Sequence, residues 1–266
     1  MTDVITLKNY RKLALSVAQD GLSFCCLDTL NWQLLGHKEI KFAKYKPIEE
    51  QLWKVFVDHP ELTRPYDEVV VLHDNSFNTF VPQALFDEHY LGSYLQYNTK
   101  VFETDFFTYD AIAGHEMNNV YVPLVNVNNF LIDQFGEFEY RNANSILVPK
   151  LLELGSTGSV NVYIHLQDNH FEIVVARGQK LLLFNSFEYS TTDDFLYYIL
   201  FTLEQLQLNP ETVNISLLGK IDRQSAYFEA AYNYIRNVDL LDTTALQDKF
   251  GITEAIALEH FILLHS

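Results

Sequence analysis

An α/β fold made of two tandem lobes is what the sequence predicts, and three observations carry that prediction. The order strand, strand, strand, helix, strand is written twice along the 266 residues. The fourth strand of the first copy, Val69-Val70-Val71-Leu72, is wholly apolar, as a strand covered on both faces must be. Hydrophobic residues make up 48% of the chain against 10 glycines and 7 prolines, enough for a sizeable core and too few breakers for a low-complexity chain.

The first copy starts with a strand at Leu13 to Val17. Gln19-Asp20-Gly21 follows as a tight turn, because Asp-Gly between apolar runs suits the positive φ of hairpin turns. Leu22 to Leu27 is the return strand, and Trp32 to Phe42 alternates apolar and polar residues as a third. Pro47 opens a helix where its missing N–H costs nothing. Ile48, Leu52, Val55 and Phe56 form one apolar stripe on it, and His59-Pro60 ends it. The buried strand Val69 to Leu72 completes the unit.

In the second copy Val160 to Leu166 is a strand, Gln167-Asp168-Asn169 a turn, and Phe171 to Ala176 the return strand. Arg177-Gly178-Gln179 turns into Lys180 to Tyr189. Thr191 and Asp194 make a capping-box start to a helix over 193–208, whose apolar residues cover most of its circumference. Asn209-Pro210 stops it before the strand Val213 to Leu218, which ends at Gly219-Lys220. Gly155-Ser156-Thr157-Gly158 reads as the linker, which divides the chain into a first lobe over 1–154, with an inserted helical segment, and a second over 155–266. In the insertion, Pro82 opens a helix through Gln96, Val120 to Pro123 is a short strand, and Asn128 to Phe135 and Ser145 to Leu154 are helices. Ser225 to Asn237 is a Tyr-rich helix. The apolar tail from Ala255 to His265 fits either helix or strand.

A duplicated unit of this order and length resembles the actin-like ATPase superfamily, which includes actin, sugar kinases and Hsp70-type ATPase domains. Within it the chain looks most like the pilus-assembly and type II secretion members, and closest to a family of bacterial proteins of unknown function, mainly from Bacteroidota. The resemblance implies two RNase H-like lobes with mixed sheets, facing each other across a cleft. It also implies a nucleotide site there. In the superfamily the first hairpin of each lobe carries an Asp-x-Gly, the glycine approaching phosphates and the Asp holding Mg²⁺ through water. A Gly-Gly pair after a second-lobe strand takes the adenosine.

This chain departs from all three. Aligning Gly21 with the first glycine puts Gln19 in place of the Asp, and an earlier alignment puts Ser16 there with Ala18 as the glycine. The second hairpin offers Gln167-Asp168-Asn169 or His165-Leu166-Gln167, and the adenosine motif is reduced to Gly219-Lys220. A neutral Gln does not supply the charge Mg²⁺ prefers, so metal-assisted phosphoryl transfer loses its anchor.

Other chemistry finds little support. The net charge of −17 disfavours nucleic acid as a partner. A nuclease on the same half-fold needs carboxylates on the first strand, which has none. His73-Asp74 follows the buried fourth strand and is the best-placed polar pair for chemistry, set against an ordinary capped turn. His165 and His170 bracket the second hairpin with no carboxylate or cysteine at metal-ligand spacing in the sequence, which disfavours a zinc site. Cys25 and Cys26, being strand neighbours, point to opposite faces and do not bridge, as suits a reducing compartment. The N-terminus carries no signal-peptide pattern, and no apolar run reaches the ~20 residues of a membrane span. Ten aromatic residues from Phe77 to Tyr109 crowd one stretch, a core contribution whose exposed share would suit a protein interface.

The expectation is therefore a cytoplasmic, catalytically degenerate scaffold or interaction module with no catalytic residues, no metal site and no cofactor. It would act on a protein partner or a second copy of itself, without nucleic acid or membrane insertion. The alternative is an ATPase or switch that binds ATP and magnesium between the lobes, with Asp20, Gly21, Asp168, Asn169, Gly219 and Lys220 converging on it. A weaker third is a small-molecule sensor using the same cleft.

Overall fold

The computed structural model describes residues 8–97, 99–102, 104–155 and 158–266. Ser156 and Thr157 of the linker tetrapeptide, and the first seven residues, lie outside them.

The first lobe opens with the antiparallel meander β1 (Arg11–Val17), β2 (Gly21–Asp28) and β3 (Gln33–Lys41), then helix α1 (Ile48–Asp58) and β4 (Glu68–His73). The crossover returns β4 parallel to β1, with Leu13 to Ser16 facing Val69 to Leu72 in register. α1 buries Leu52, Val55 and Phe56, the stripe its spacing requires, against the outer face of the sheet.

An insertion follows. It holds β5 (Asn78–Pro82), helix α2 (Leu91–Leu95), β6 (Thr108–Ile112) and β7 (Met117–Tyr121), and the three strands form a small antiparallel sheet in the order β5-β7-β6. The expected helix from Pro82 to Gln96 is not there. Pro82 ends β5 instead, and the stretch breaks into two 3₁₀ turns before the short α2. Its Tyr94 hydroxyl donates to the Leu85 carbonyl and accepts from the Asp87 N–H, so a side chain takes up groups a continuous helix would have paired. The chain returns through α3 (Val125–Phe135), β8 (Glu139–Asn142) and α4 (Asn144–Glu153).

The second lobe repeats the pattern with β9 (Val160–Leu166), β10 (His170–Arg177), β11 (Lys180–Glu188), α5 (Thr192–Gln205) and β12 (Asn214–Gly219). α5 begins at a capping box in which Thr191 and Asp194 satisfy each other's backbone N–H. It is less buried than its composition suggests: Phe195, Ile199 and Leu203 face the core, while Tyr197 is 61% and Phe201 42% accessible. α6 (Ala226–Tyr234) leads to β13 (Asn237–Leu240), and α7 (Thr244–Phe250), α8 (Glu254–Glu259) and α9 (Phe261–His265) end the chain. The apolar tail is thus helical, and the Tyr-rich helix is shorter than expected because its last residues cross into β13.

The two main sheets have one order, β3-β2-β1-β4-β8 and β11-β10-β9-β12-β13. Each carries a fifth, parallel strand that the periodicity did not reveal. β8 and β13 are edge strands of four residues, too short and too polar to show an apolar run. Cys25 belongs to the core shared between the sheets and Cys26 to the core under α1, as alternation on β2 demands; both thiols are free and buried.

What joins the lobes comes from the far end of the chain. α8 packs on β12, whereas α9 packs on β1, β2 and α4. The Lys12 ammonium donates to the Ser266 carbonyl at 2.7 Å, so the last residue closes on the first strand. One continuous apolar core runs from Ala14, Val70 and Leu72 of the first sheet through α4 and α9 into β9, β10 and β12 of the second.

Candidate functional site

The β1–β2 and β9–β10 hairpins bring their tips to the same end of the molecule, and the cavity between them has a volume of about 260 Å³. Asp20, Gly21, Asp168, Asn169 and Lys220 all line it, so five of the six residues singled out as a nucleotide cradle are gathered at one place. Gly219 stands directly behind Lys220 and serves the backbone. It has a φ of 87°, and a Cβ there would lie 2.2 Å from the Leu166 carbonyl oxygen. Only glycine lets the end of β12 lie this close to β9.

The reason for Gly21 also differs from the one the dipeptide suggested. Neither Asp20 nor Gly21 has a positive φ. A Cβ on Gly21 would instead sit 2.9 Å from the Ile40 carbonyl oxygen, so the missing side chain serves the approach of β3.

The protein's own side chains bridge the cradle. The Lys220 ammonium pairs with Glu39, on β3 of the first lobe, and with Asp168 at 2.8 Å on the second-lobe turn. Lys41 reaches the same Asp168 oxygen at 2.9 Å. The Asn169 amide donates to Asp20 at 3.3 Å, joining the two turns directly. Burial works against both charges of the Lys220–Asp168 pair. The hydrogen bonds outweigh it, lowering the Asp168 carboxyl and raising the Lys220 ammonium relative to their ordinary values.

At the places the resemblance aligns with metal-holding carboxylates stand Ser16 or Gln19 on one side and His165 or Gln167 on the other, none an acid. Asp20 and Asp168 line the space between the hairpins, and the Lys220 ammonium beside them is already paired twice. The cavity is also smaller than the ~300–1,000 Å³ of ordinary small-molecule sites.

His73 and Asp74, read in sequence as a pair, part company. His73 is fully buried: the Leu124 N–H donates to its Nδ1 at 2.8 Å, so its Nε2–H donates to Asn128 at 2.9 Å. Burial pushes it down to about 4, a neutral ring used as a brace. Asp74 turns toward the cleft, its backbone N–H held by the Val17 carbonyl at 2.9 Å.

There it meets the second lobe, and the expectation that no carboxylate joins His165 and His170 is corrected. Glu172, two residues after His170 on β10, lies opposite His165 in the hairpin register. His165 Nδ1 is 2.9 Å from one Glu172 oxygen, and His170 Nε2 is 3.1 Å from the other. Asp74, His170 and Glu172 each offer a ligand atom, all within 4.8 Å of one another. Burial opposes charge at each group. For Glu172 the His170 charge and the His165 hydrogen bond prevail and hold the carboxyl well below its usual range, while Glu172 in turn raises His170 to about 9. For Asp74 burial prevails, and its carboxyl is raised. The signal for this cluster was in the sequence: an acid inside the apolar run Phe171 to Ala176, at a position that is only 2% accessible.

On the wall formed by the C-terminal helices, His260 Nε2 lies 2.9 Å from His37 Nδ1 of β3. Burial, together with the neighbouring His37 and Lys220, pushes His260 down to about 4. In the insertion, Tyr90, Tyr97, Phe102 and Phe106 are exposed, whereas Phe77, Phe80, Phe86, Tyr94, Phe107 and Tyr109 are partly covered. Tyr90, Phe102 and Phe106 line one shallow groove with Glu88 and Asp105.

Comparison with solved structures places this architecture. A protein of Bacteroides thetaiotaomicron described as having an actin-like ATPase fold and unknown function aligns with a TM-score of 0.77 at 22% identity, over 88% of this chain and 91% of that one. A PilM–PilN type IV pilus biogenesis complex aligns at 0.65 and 11% identity over 96% of both chains. The cytoplasmic domain of EpsL, an inner-membrane component of the type II secretion system of Vibrio cholerae, aligns at 0.50 and 11% identity over 90% and 94%. The chain therefore has the actin-like ATPase fold. No curated protein matches it in sequence. The family model described as "Protein of unknown function (DUF3822)" matches residues 2–238, and the chain belongs to that family.

Proposed function

We propose that this protein is a non-enzymatic, actin-like interaction module whose ancestral nucleotide cleft is closed by its own side chains. The Lys220 bridge is the observation that carries this reading. A cation reaching from the end of β12 to Glu39 and Asp168 occupies the ground between the hairpins that a triphosphate would need. The neutral residues at the metal-carboxylate positions and the small cavity support the same conclusion. An interaction role is supported by the exposed aromatic residues of the insertion, set among Glu88 and Asp105, since aromatic side chains with a polar rim are the usual make-up of a protein interface. Two of the neighbours in fold come from multi-protein machines, a pilus biogenesis complex and a secretion system. We place the protein in a reducing compartment on its two free, buried thiols. Among the described residues no helix is long and apolar enough to cross a membrane.

Thermal unfolding with ATP or ADP, with and without Mg²⁺, tests the cleft. A ligand of the folded state raises the midpoint by mass action, so this reading expects no rise at millimolar nucleotide. A rise of several degrees that Lys220→Met abolishes would favour the second reading, a nucleotide-binding switch. What favours that reading is the gathering of Asp20, Gly21, Asp168, Asn169 and Lys220 at one place. Sedimentation velocity across a hundredfold range of concentration tests self-association, which a monomer throughout would exclude in favour of a different protein partner.

A further inference from the structure

We propose that Asp74, His170 and Glu172 form a binding site for a zinc-class divalent metal ion that pins the tip of the first sheet to the tip of the second. The donors come from both lobes, Asp74 from the end of β4 and the other two from β10, and their ligand atoms fall within 4.8 Å of one another. Donors around a tetrahedral zinc at about 2.1 Å lie about 3.4 Å apart. The His170–Glu172 pair, at 3.1 Å, is already near that spacing, and Asp74, whose ligand atom lies within 4.8 Å of both, would close the rest on binding.

Two of the three donors are also held from behind, as metal ligands are. His165 grips the far oxygen of Glu172 and leaves the near one facing the cluster. The Asn169 side-chain oxygen lies 2.8 Å from His170 Nδ1, so Nδ1 keeps its proton and Nε2 is the nitrogen left for a metal, which would displace the proton that the neighbouring carboxylate favours there. Nε2 is sealed from solvent yet makes no hydrogen bond, because the Glu172 oxygen 3.1 Å away is out of line with the ring N–H direction. Two donors that stand close without bonding each other fit a shared third body between them.

Charge and softness choose the ion. Two carboxylates balance a divalent cation once His170 gives up its Nε2 proton on binding it, and a mixed nitrogen and oxygen set suits zinc. Mg²⁺ prefers oxygen donors only and keeps its water. Asp74 and His170 also line the cavity, so three protein ligands would leave an open position on the cleft side.

The test uses the full chain, tag-free and stripped with a chelator, titrated calorimetrically with ZnCl₂, MnCl₂ and MgCl₂ and followed by thermal unfolding. One zinc per chain is expected, with a raised unfolding midpoint and no response to magnesium. Asp74→Asn and His170→Gln keep the shape of the site and should each weaken zinc binding at least tenfold. His37→Gln, at the other histidine pair, should leave it unchanged. Cobalt substitution should give the strong visible bands of a four-coordinate site, and these should vanish in His170→Gln. The proposal is overturned if the wild-type chain binds no zinc. It is equally overturned if both site variants bind within threefold of wild type, if His37→Gln abolishes binding, or if magnesium binds as well as zinc.

Discussion

Replacing Lys220 by Met asks whether the cleft is held closed electrostatically. The Lys220 side chain is only 24% accessible and its ammonium meets Asp168 at 2.8 Å as well as Glu39. Two unit charges at such range attract by roughly 4 kcal/mol at an effective dielectric near 20. Desolvation and lost rotamer freedom take back most of it. Exposed pairs retain about 0.2–1 kcal/mol, and breaking a fully buried pair costs about 3–5. A half-covered bridge with two acceptors falls between, so Lys220→Met should cost about 2 kcal/mol. At about 2–4 °C per kcal/mol that lowers the midpoint by about 4–8 °C. Glu39→Gln and the double variant complete a cycle whose coupling should be about 1.5 kcal/mol. Lys41 is the internal control. It reaches the same Asp168 oxygen but is 69% accessible, so Lys41→Met should cost under about 0.5 kcal/mol. Urea unfolding at low and high salt measures all four variants. A coupling below about 0.5 kcal/mol, or equal costs for the two lysines, would refute the clamp.

Two further outcomes follow from the packing. Gly219→Ala should cost about 3–4 kcal/mol, because positive φ and a 2.2 Å approach to the Leu166 carbonyl oxygen both resist a methyl group; Gly114→Ala, at φ 81° with no atom within 4 Å, should cost only about 1. Equal losses in urea unfolding would show that the strand approach at β12 is not what demands glycine. His260 has a folded value depressed to about 4, so the unfolded chain takes up its proton first as pH falls. Stability attributable to this residue is complete above about pH 6.5 and is lost on acidification toward pH 4, by up to about 3 kcal/mol. Unfolding free energies for wild type and His260→Gln across that window should differ in slope by up to one proton, and parallel curves would contradict the assignment.

How much was legible in the sequence varies with the physics of each element. The duplicated order of strands and helices was readable because most of those elements bury an apolar stripe or run, and the edge strands β3 and β11 half-cover alternate apolar residues, which periodicity records locally. The capping box at Thr191 was readable for the same reason, since both partners lie within one turn. The strands β8 and β13 were not, because a four-residue edge strand is defined by the neighbour it hydrogen-bonds to, Val70–His73 and Asn214–Leu217 respectively. The helix expected to open at Pro82 was misread at its start, because Pro82 pairs with Met117 as the last residue of β5, and the stretch beyond it forms two 3₁₀ turns and a short helix.

The candidate site divides the same way. The departures from the Asp-x-Gly and Gly-Gly patterns of the resembled superfamily could be read from the letters alone, since a residue type at a position needs no coordinates to be seen. The sequence also singled out residues that meet at the cleft. Only the tertiary structure decided what they do there: that Lys220 is engaged by Glu39, 181 residues earlier, and that Asp74 arrives beside His170 and Glu172 from the other lobe. Charges act through space over a few ångströms, whereas spacing along a chain reports only neighbours within a turn or a hairpin. Contacts between lobes are set by the docking of two sheets and the helices at the chain's end, and no local pattern encodes that distance.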